Sequence, residues 1–477
     1  MNLEERRRCL EAMTALAHRE AENAAGIERV FLPLPAHRLA LRPEIVVVCG
    51  SRGAGKSAFF KLLGELRTTD RIRAYLDDPR IPEATWMEAF AQSMHHPSEA
   101  ILDTFAEGRG EDALRAFWMA HLLLRIAEER PGLVEPPADL QAMWTSHRGD
   151  PERWVPLAQE RLGAVATGLD QVERELGKRG QMVFATYDHL DRIGTFNPLI
   201  RRRYVASLLA LWLSLSNRYQ KLRAKIFLRE DLLDAAGLAF TDASKLRARS
   251  VSLDWDIESL YRVTVRQMAG SSPDLRAWLD EINHGLVLEA KPPVGWMPGP
   301  MPEPVQKAFA DRVAGEVMGA GVTKGYTYRW IPNHLRDGQG RIVPRSVLVL
   351  FGYAAKEALQ HPLESGPQLL APRDLSVAMN ETSKDRVGEI SEEYTPAMRL
   401  KQLAGMVLPI PPEQVIARVG EPVEGEPPGL TRDGRAVLDE LVRLGVVTIR
   451  SDGRVDMPDI YRFQFGVLRK GVVTRPR

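Results

Sequence analysis

Cysteine is nearly absent from this chain: there are two in 477 residues, Cys9 and Cys49. Cys49 lies inside an apolar, strand-like run, so the pair reads as reduced thiols and not as a disulfide framework. No excess of either charge is present, since 64 lysines and arginines face 63 aspartates and glutamates. A global field that would draw the chain to nucleic acid or to a membrane is therefore not expected. No apolar run approaches the roughly 20 residues of a membrane-spanning helix. The opening MNLEERRRCLEAM is charged and helix-like, without the apolar centre of a secretion signal, so the expected compartment is the cytoplasm. The patterns HExxH, paired zinc ligands and the serine elbow are missing, as is any repeat of solenoid period. What remains is a chain with room for two to four domains and a sizeable core.

The most informative stretch is VVVCGSRGAGKSAFFKLLGEL, Val46 to Leu66. Gly50-x-x-x-x-Gly55-Lys56-Ser57 fits the P-loop pattern, placed where an apolar strand gives way to an amphipathic helix. Gly50, Gly53 and Gly55 let the backbone curl with its N–H groups inward, flanked by the small residues Ala54 and Ala58. The helix start adds its positive dipole end. In this pattern Lys56 reaches the β- and γ-phosphates of ATP, and the Ser57 hydroxyl ligates Mg²⁺.

A P-loop calls for a second acidic strand end, and QMVFATYDHLDRIG supplies one. Met182 to Tyr187 read as a buried parallel strand, with Asp188 at its carboxyl end as the Mg²⁺ carboxylate. Asp191 is either its partner for metal or attacking water, or a helix cap. His189 reads as a packed or solvated histidine. A further strand, KIFLRED (Lys225 to Asp231), follows a long helix RRRYVASLLALWLSLSNRYQKLR and ends on Arg229. Arg229 can sense a γ-phosphate, or pair with Glu230 or Asp231 at the surface. Ser250 to Leu253 offers one more strand.

In this order the P-loop, the D-x-x-D of YDHLDR, the arginine-tipped KIFLRED, and SLDWDIESL running into helices resemble the AAA+/STAND group of P-loop ATPases, over most of residues 20–370. The resemblance implies an α/β fold: a parallel sheet sandwiched by helices, then a helical lid that closes over ATP, in proteins that oligomerise and switch with nucleotide. It also implies that Arg345, after Pro344 at the head of a lid helix, is a second phosphate sensor; the plain alternative is a solvated arginine. One position departs from the group. Where its hydrolases carry glutamate after the metal aspartate, this chain has His189, which implies a slow ATPase.

Beyond the core, KPPVGWMPGPMPEPV reads as a loop or lid insertion and GEPVEGEPPG as a mobile connector. RAVLDELVRLGVV reads as a helix ended by Gly445, and VVTIRSDGRVDM as a hairpin about Asp452-Gly453. Together with the basic tail RKGVVTRPR they resemble a winged helix, which binds DNA or serves as a clamp or protein contact. The expected division is an N-terminal helical segment (1–44), a P-loop core (45–255) with a helical insert at about 75–175, a helical lid (256–370) and a winged-helix-like domain (371–477). WMEAFAQSM and LRAFWMAHLLLRIAEE make the insert helical, a candidate surface for a partner or for homo-oligomers. Three functions follow as expectations. The first is a slow, ATP-dependent switch of STAND type, signalling in defence or regulation through assembly. The second is a DNA-bound ATPase resembling origin-recognition or transposition loaders. A small-molecule kinase comes third.

Overall fold

The structure, a computed structural model, describes residues 1–18, 26–194, 197–237, 243–282, 285–291, 294–319, 321, 324–427 and 429–469. It divides into two compact units, a sheet unit (33–51 and 55–254) and a helical unit (1–32, 52–54 and 255–477). The loop after Gly50 therefore belongs partly to each.

The sheet unit is built on five parallel strands: β1 (Val47–Gly50), β2 (Thr85–Phe90), β3 (Val183–Tyr187), β4 (Leu222–Arg229) and β5 (Ser250–Ser252). Their order is β2-β3-β4-β1-β5, so the arginine-tipped strand lies between the P-loop strand and the Asp188 strand. Helices flank the sheet, among them α1 (Lys56–Leu66), α2 (Glu111–Glu129) and α3 (Pro198–Arg218). Strands β1 and β3 are buried at every position, as expected of parallel strands covered on both faces. Strand β4 carries Lys225 fully buried, its Nζ donating to the carbonyls of Arg42 and Ile45 and lying 4.7 Å from the Phe184 ring centre. Burial pushes that amine well below its usual pKa.

Two expectations need correction here. WMEAFAQSM is not helical: Thr85–Phe90 forms β2, the edge strand next to β3. A short apolar run is ambiguous between helix and strand, and cross-strand packing decided it. Trp86 faces Phe184 in the register and stacks on it, ring centres 4.5 Å apart and planes 17° from parallel. The long helix α3 stops at Arg218, and β4 already begins at Leu222. The rest of the 75–175 segment is mainly helices joined by loops, and their apolar faces are built into the core. Trp118, Trp144 and Trp154 are at most 1% exposed and pack about Phe117 and His121, so these rings serve the interior of the unit.

The helical unit has its own apolar core, contributed by α4 (Ile257–Ser271), α5 (Pro344–Ala358) and α6 (Pro372–Glu393) among others. Asp256 caps α4, its carboxylate accepting from Ser259 N at 2.7 Å. Pro344 opens α5 at the first turn, where its missing N–H costs nothing. The proline-rich stretch is only partly loop: Leu288–Lys291 (β6) and Gly295–Pro298 (β7) pair as an antiparallel hairpin, with residues 292 and 293 outside the described set. Two-stranded ladders have only edges, and edges tolerate proline. Toward the C-terminus α7 (Gly434–Arg443) runs to Gly445, φ 75°, and a hairpin of Thr448–Ile449 with Val455–Asp456 turns at Gly453, φ 80°. These are the expected elements of a winged-helix-like region in the expected order. Of the basic tail only Arg469 is described. The GEPVEGEPPG segment is anchored at Glu426, which is 3% exposed and accepts from Arg399 Nε at 2.9 Å.

Candidate functional site

In the sheet unit the site grows from the carboxyl ends of β1, β3 and β4. The valine run of β1 stops at Gly50, and α1 starts at Lys56 with Gly55 as its cap at φ 95°. A Cβ added to Gly55 would meet nothing within 4 Å, so it is the left-handed backbone and not crowding that calls for glycine there. Lys56 Nζ folds back onto the loop, donating to the carbonyls of Gly50 at 2.9 Å and Ser51 at 3.1 Å. Ala58 lies in the first turn of α1.

Asp188 follows β3 and is 4% exposed. Its backbone N–H donates to Phe90 O at 2.9 Å, so the unforeseen strand β2 helps fix it. Burial pushes its pKa up, against the opposing pull of His189 and of the nearby Ser57 side chain. Its Oδ2 is buried with no hydrogen-bond donor among the described residues. His189 Nε2 stands 3.8 Å from that oxygen. A hydroxyl and a buried carboxylate oxygen brought together in this way fit a small, hard cation such as Mg²⁺. His189 sits at φ 59°, a left-handed backbone that a residue with a Cβ seldom adopts, and accepts from Gln92 N at 3.4 Å. Asp191 is half-buried inside the short helix Leu190–Arg192, close enough to Asp188 to raise its pKa. It caps neither neighbouring helix: His189 and Asn197 hold those positions.

Arg229 closes β4 directly opposite Gly50 in the register. Its side chain is 7% exposed and paired two-pronged with Asp231, Nε to Oδ1 at 2.9 Å and Nη2 to Oδ2 at 2.7 Å.

In the helical unit, the loop residues Arg52, Gly53 and Ala54 meet Trp255, α5 and α6. The Ala54 carbonyl accepts from Trp255 Nε1 at 2.8 Å. Gly53, φ 83°, is backed by Val343 and Arg345: a Cβ there would lie 3.1 Å from Val343 Cγ2 and 3.2 Å from Arg345 Cβ. Arg345 Nη1 donates to Glu389 Oε1 at 2.8 Å. Ser57 and Asp188 are thus brought together and Arg229 is set beside the P-loop strand, whereas Arg345 belongs to the other unit. Arg52, Trp255 and Glu389 were missed from sequence, and only the position of Arg52 within the loop pattern signalled any of them.

No protein-family model and no curated protein matches the sequence. Among solved structures, the chain is similar to the Aeropyrum pernix ORC2 protein in ADPNP–ADP complexes, at 13% identity over 90% of this chain and 92% of that one, TM-score 0.31. It is similar to Cdc6p from Pyrobaculum aerophilum at 12% identity, 91% and 93% coverage and TM-score 0.32. The Aeropyrum pernix ORC1 protein in complex with DNA aligns at 13% identity, 91% and 93% coverage and TM-score 0.35. Likeness at this level carries no functional weight, and the functional reading rests on the residues themselves.

Proposed function

We propose that this chain binds ATP with Mg²⁺ at the P-loop and hydrolyses it slowly, as a nucleotide-dependent switch. The observation that carries the reading is the placing of Ser57, in the first turn after β1, near Asp188, at the end of β3, whose Oδ2 is buried and has no donor among the described residues. Lys56 would leave the loop carbonyls for phosphate oxygens. Ser57 and Asp188 would hold Mg²⁺, which supplies charge neutralisation across the β- and γ-phosphates. Arg229 and Arg345 would read the phosphate charge from two elements, once each exchanges its present carboxylate for phosphate oxygens.

Slow turnover follows from position 189. A histidine there, in contact with the Asp188 carboxylate, is a poor substitute for a carboxylate base, and general-base catalysis is worth about 10²–10⁴-fold. Bound ATP then persists and favours the closed form over the open one, with assembly of copies or of a partner as the output. Calorimetric titration with Mg²⁺–ATP, followed by size exclusion with a nonhydrolysable analogue, tests binding and output separately. The switch is placed ahead of duplex-DNA binding because the arginines of the C-terminal hairpin face carboxylates: Arg454 pairs with Asp452 at 2.6 Å, and Arg450 lies 3.6 Å from Asp456.

A further inference from the structure

Glu389, on α6, stands between two arginines. Its Oε1 accepts from Arg345 Nη1 and its Oε2 from Arg386 Nη1, each at 2.8 Å. Arg386 Nη1 also donates to the Arg52 carbonyl at 3.2 Å. Arg52 answers with Nη1 to the Glu389 carbonyl at 3.3 Å and Nη2 to Glu392 Oε2 at 2.5 Å. The tip of the P-loop and its candidate sensor arginine are therefore both fastened to one turn of α6. A cavity of about 640 Å³ is lined by Arg52, Arg345, Lys384, Arg386, Glu389 and Glu392 among others.

The two arginines on Glu389 are not equivalent. Arg386 is 8% exposed at its side chain and Arg345 37%. Although burial pushes the Glu389 pKa up, Arg386 and Arg345 together hold it below the usual carboxylate range. Arg386 cannot leave without stranding a buried charge, whereas Arg345 can turn to solvent at small cost. A carboxylate and a phosphate offer a guanidinium the same paired-oxygen acceptor, so the two compete for Arg345.

We propose that Glu389 is an internal phosphate mimic, a latch that holds Arg345 and the P-loop tip until the terminal phosphate of a nucleoside triphosphate displaces it. This rests on the ATP reading above and adds to it: affinity is set by the strength of the Arg345–Glu389 pair, and release of the pair carries nucleotide occupancy to α6. Arg386 is the fixed end of the latch and Arg345 the releasable end. Glu389 is a positioning residue that acts through Arg345.

The test is a cycle of four full-length proteins, wild type, Glu389→Gln, Arg345→Ala and the double variant, titrated calorimetrically with a nonhydrolysable ATP analogue and Mg²⁺. Lys56→Ala serves as the control for the site. The latch requires Glu389→Gln to bind about three- to tenfold tighter than wild type, since the competing carboxylate charge is removed from an arginine whose pair is partly screened by solvent. That gain must vanish when Arg345 is absent. Should Glu389→Gln fail to fold because Arg386 loses its partner, Glu389→Asp keeps that charge while drawing back from Arg345, and must bind tighter than wild type by a smaller factor. A folded Glu389→Gln that binds no tighter than wild type, or an equal gain in the Arg345→Ala background, overturns the latch alone, provided wild type binds and Lys56→Ala does not. If wild type fails to bind, or Lys56→Ala binds as well, the ATP reading fails and takes the latch with it.

Discussion

Gly50, the first glycine of the P-loop pattern, lies directly opposite Arg229 in the parallel register of β1 and β4. The Arg229 guanidinium is paired with Asp231, and under the ATP reading it would exchange that carboxylate for a phosphate held by the loop. Arg229→Ala should therefore lower the turnover rate by about tenfold or more while changing the ATP dissociation constant by less, as for a group that meets charge developing in the transition state. Single-turnover kinetics beside calorimetry check this. An unchanged rate would assign Arg229 to its ion pair with Asp231.

Asp188 carries the metal argument, and its protonation gives the sign. Its carboxyl has a folded pKa raised above the ordinary 3.8, so the fold without metal favours the protonated form, and that stabilisation is lost as pH rises through the raised value. Mg²⁺ needs the ionised form, so its affinity should fall as pH is lowered toward that value. Asp188→Asn copies the neutral form. At pH 7 without metal it should melt no lower than wild type, yet gain little from Mg²⁺ with nucleotide. Melting curves with and without metal measure both, and a variant that Mg²⁺–ATP stabilises as much as wild type would remove Asp188 from the site.

Acid should weaken the sheet unit. His37 is fully buried on Phe59, ring centres 4.6 Å apart, and burial lowers its pKa from 6.5 to about 3. Between those values the unfolded ring takes a proton that the folded one refuses, so stability drops as pH falls, by about 1.4 kcal/mol per pH unit for this group at full slope. His121, buried in the tryptophan cluster with its pKa pushed well down by burial, acts in the same direction. Urea midpoints from pH 7.5 to 4.5 should decline, and a level profile would contradict the buried, neutral histidines.

These particulars show which parts of the molecule were legible in sequence. Local rules placed the P-loop helix at Lys56, Pro344 at the start of α5, Gly445 after α7 and the Asp452-Gly453 turn, because each depends on backbone preferences of a few residues. Strand β2 was hidden because its identity comes from Trp86 lying on Phe184, a partner 98 positions away in the chain. Glu389 was hidden for the same reason: nothing near it in sequence announces Arg345 or Arg52. Glu426 looked like part of a connector, and only its burial against Arg399 reveals an anchor.

Turnover separates a switch from a motor. With His189 in place of a carboxylate base, the lone protein should hydrolyse well below one ATP per second, in the slow range of unassisted P-loop proteins. A steady-state phosphate-release assay reads this directly. His189→Glu should raise the rate if water activation is the missing step. Tens of turnovers per second from wild type would reverse the assignment.

The central claim is that Lys56 and the loop around it hold a nucleoside triphosphate. Calorimetric titration of Mg²⁺–ATP into the full chain and into Lys56→Ala tests it most directly. Lys56 donates to the carbonyls of its own loop, Gly50 and Ser51, and a circular dichroism spectrum and melting curve of Lys56→Ala matching wild type confirm that the fold is intact. The account predicts one saturable site in wild type and a loss of at least about tenfold in affinity, roughly 1.4 kcal/mol, in Lys56→Ala. Equal binding by the two proteins, or none by either, would contradict it.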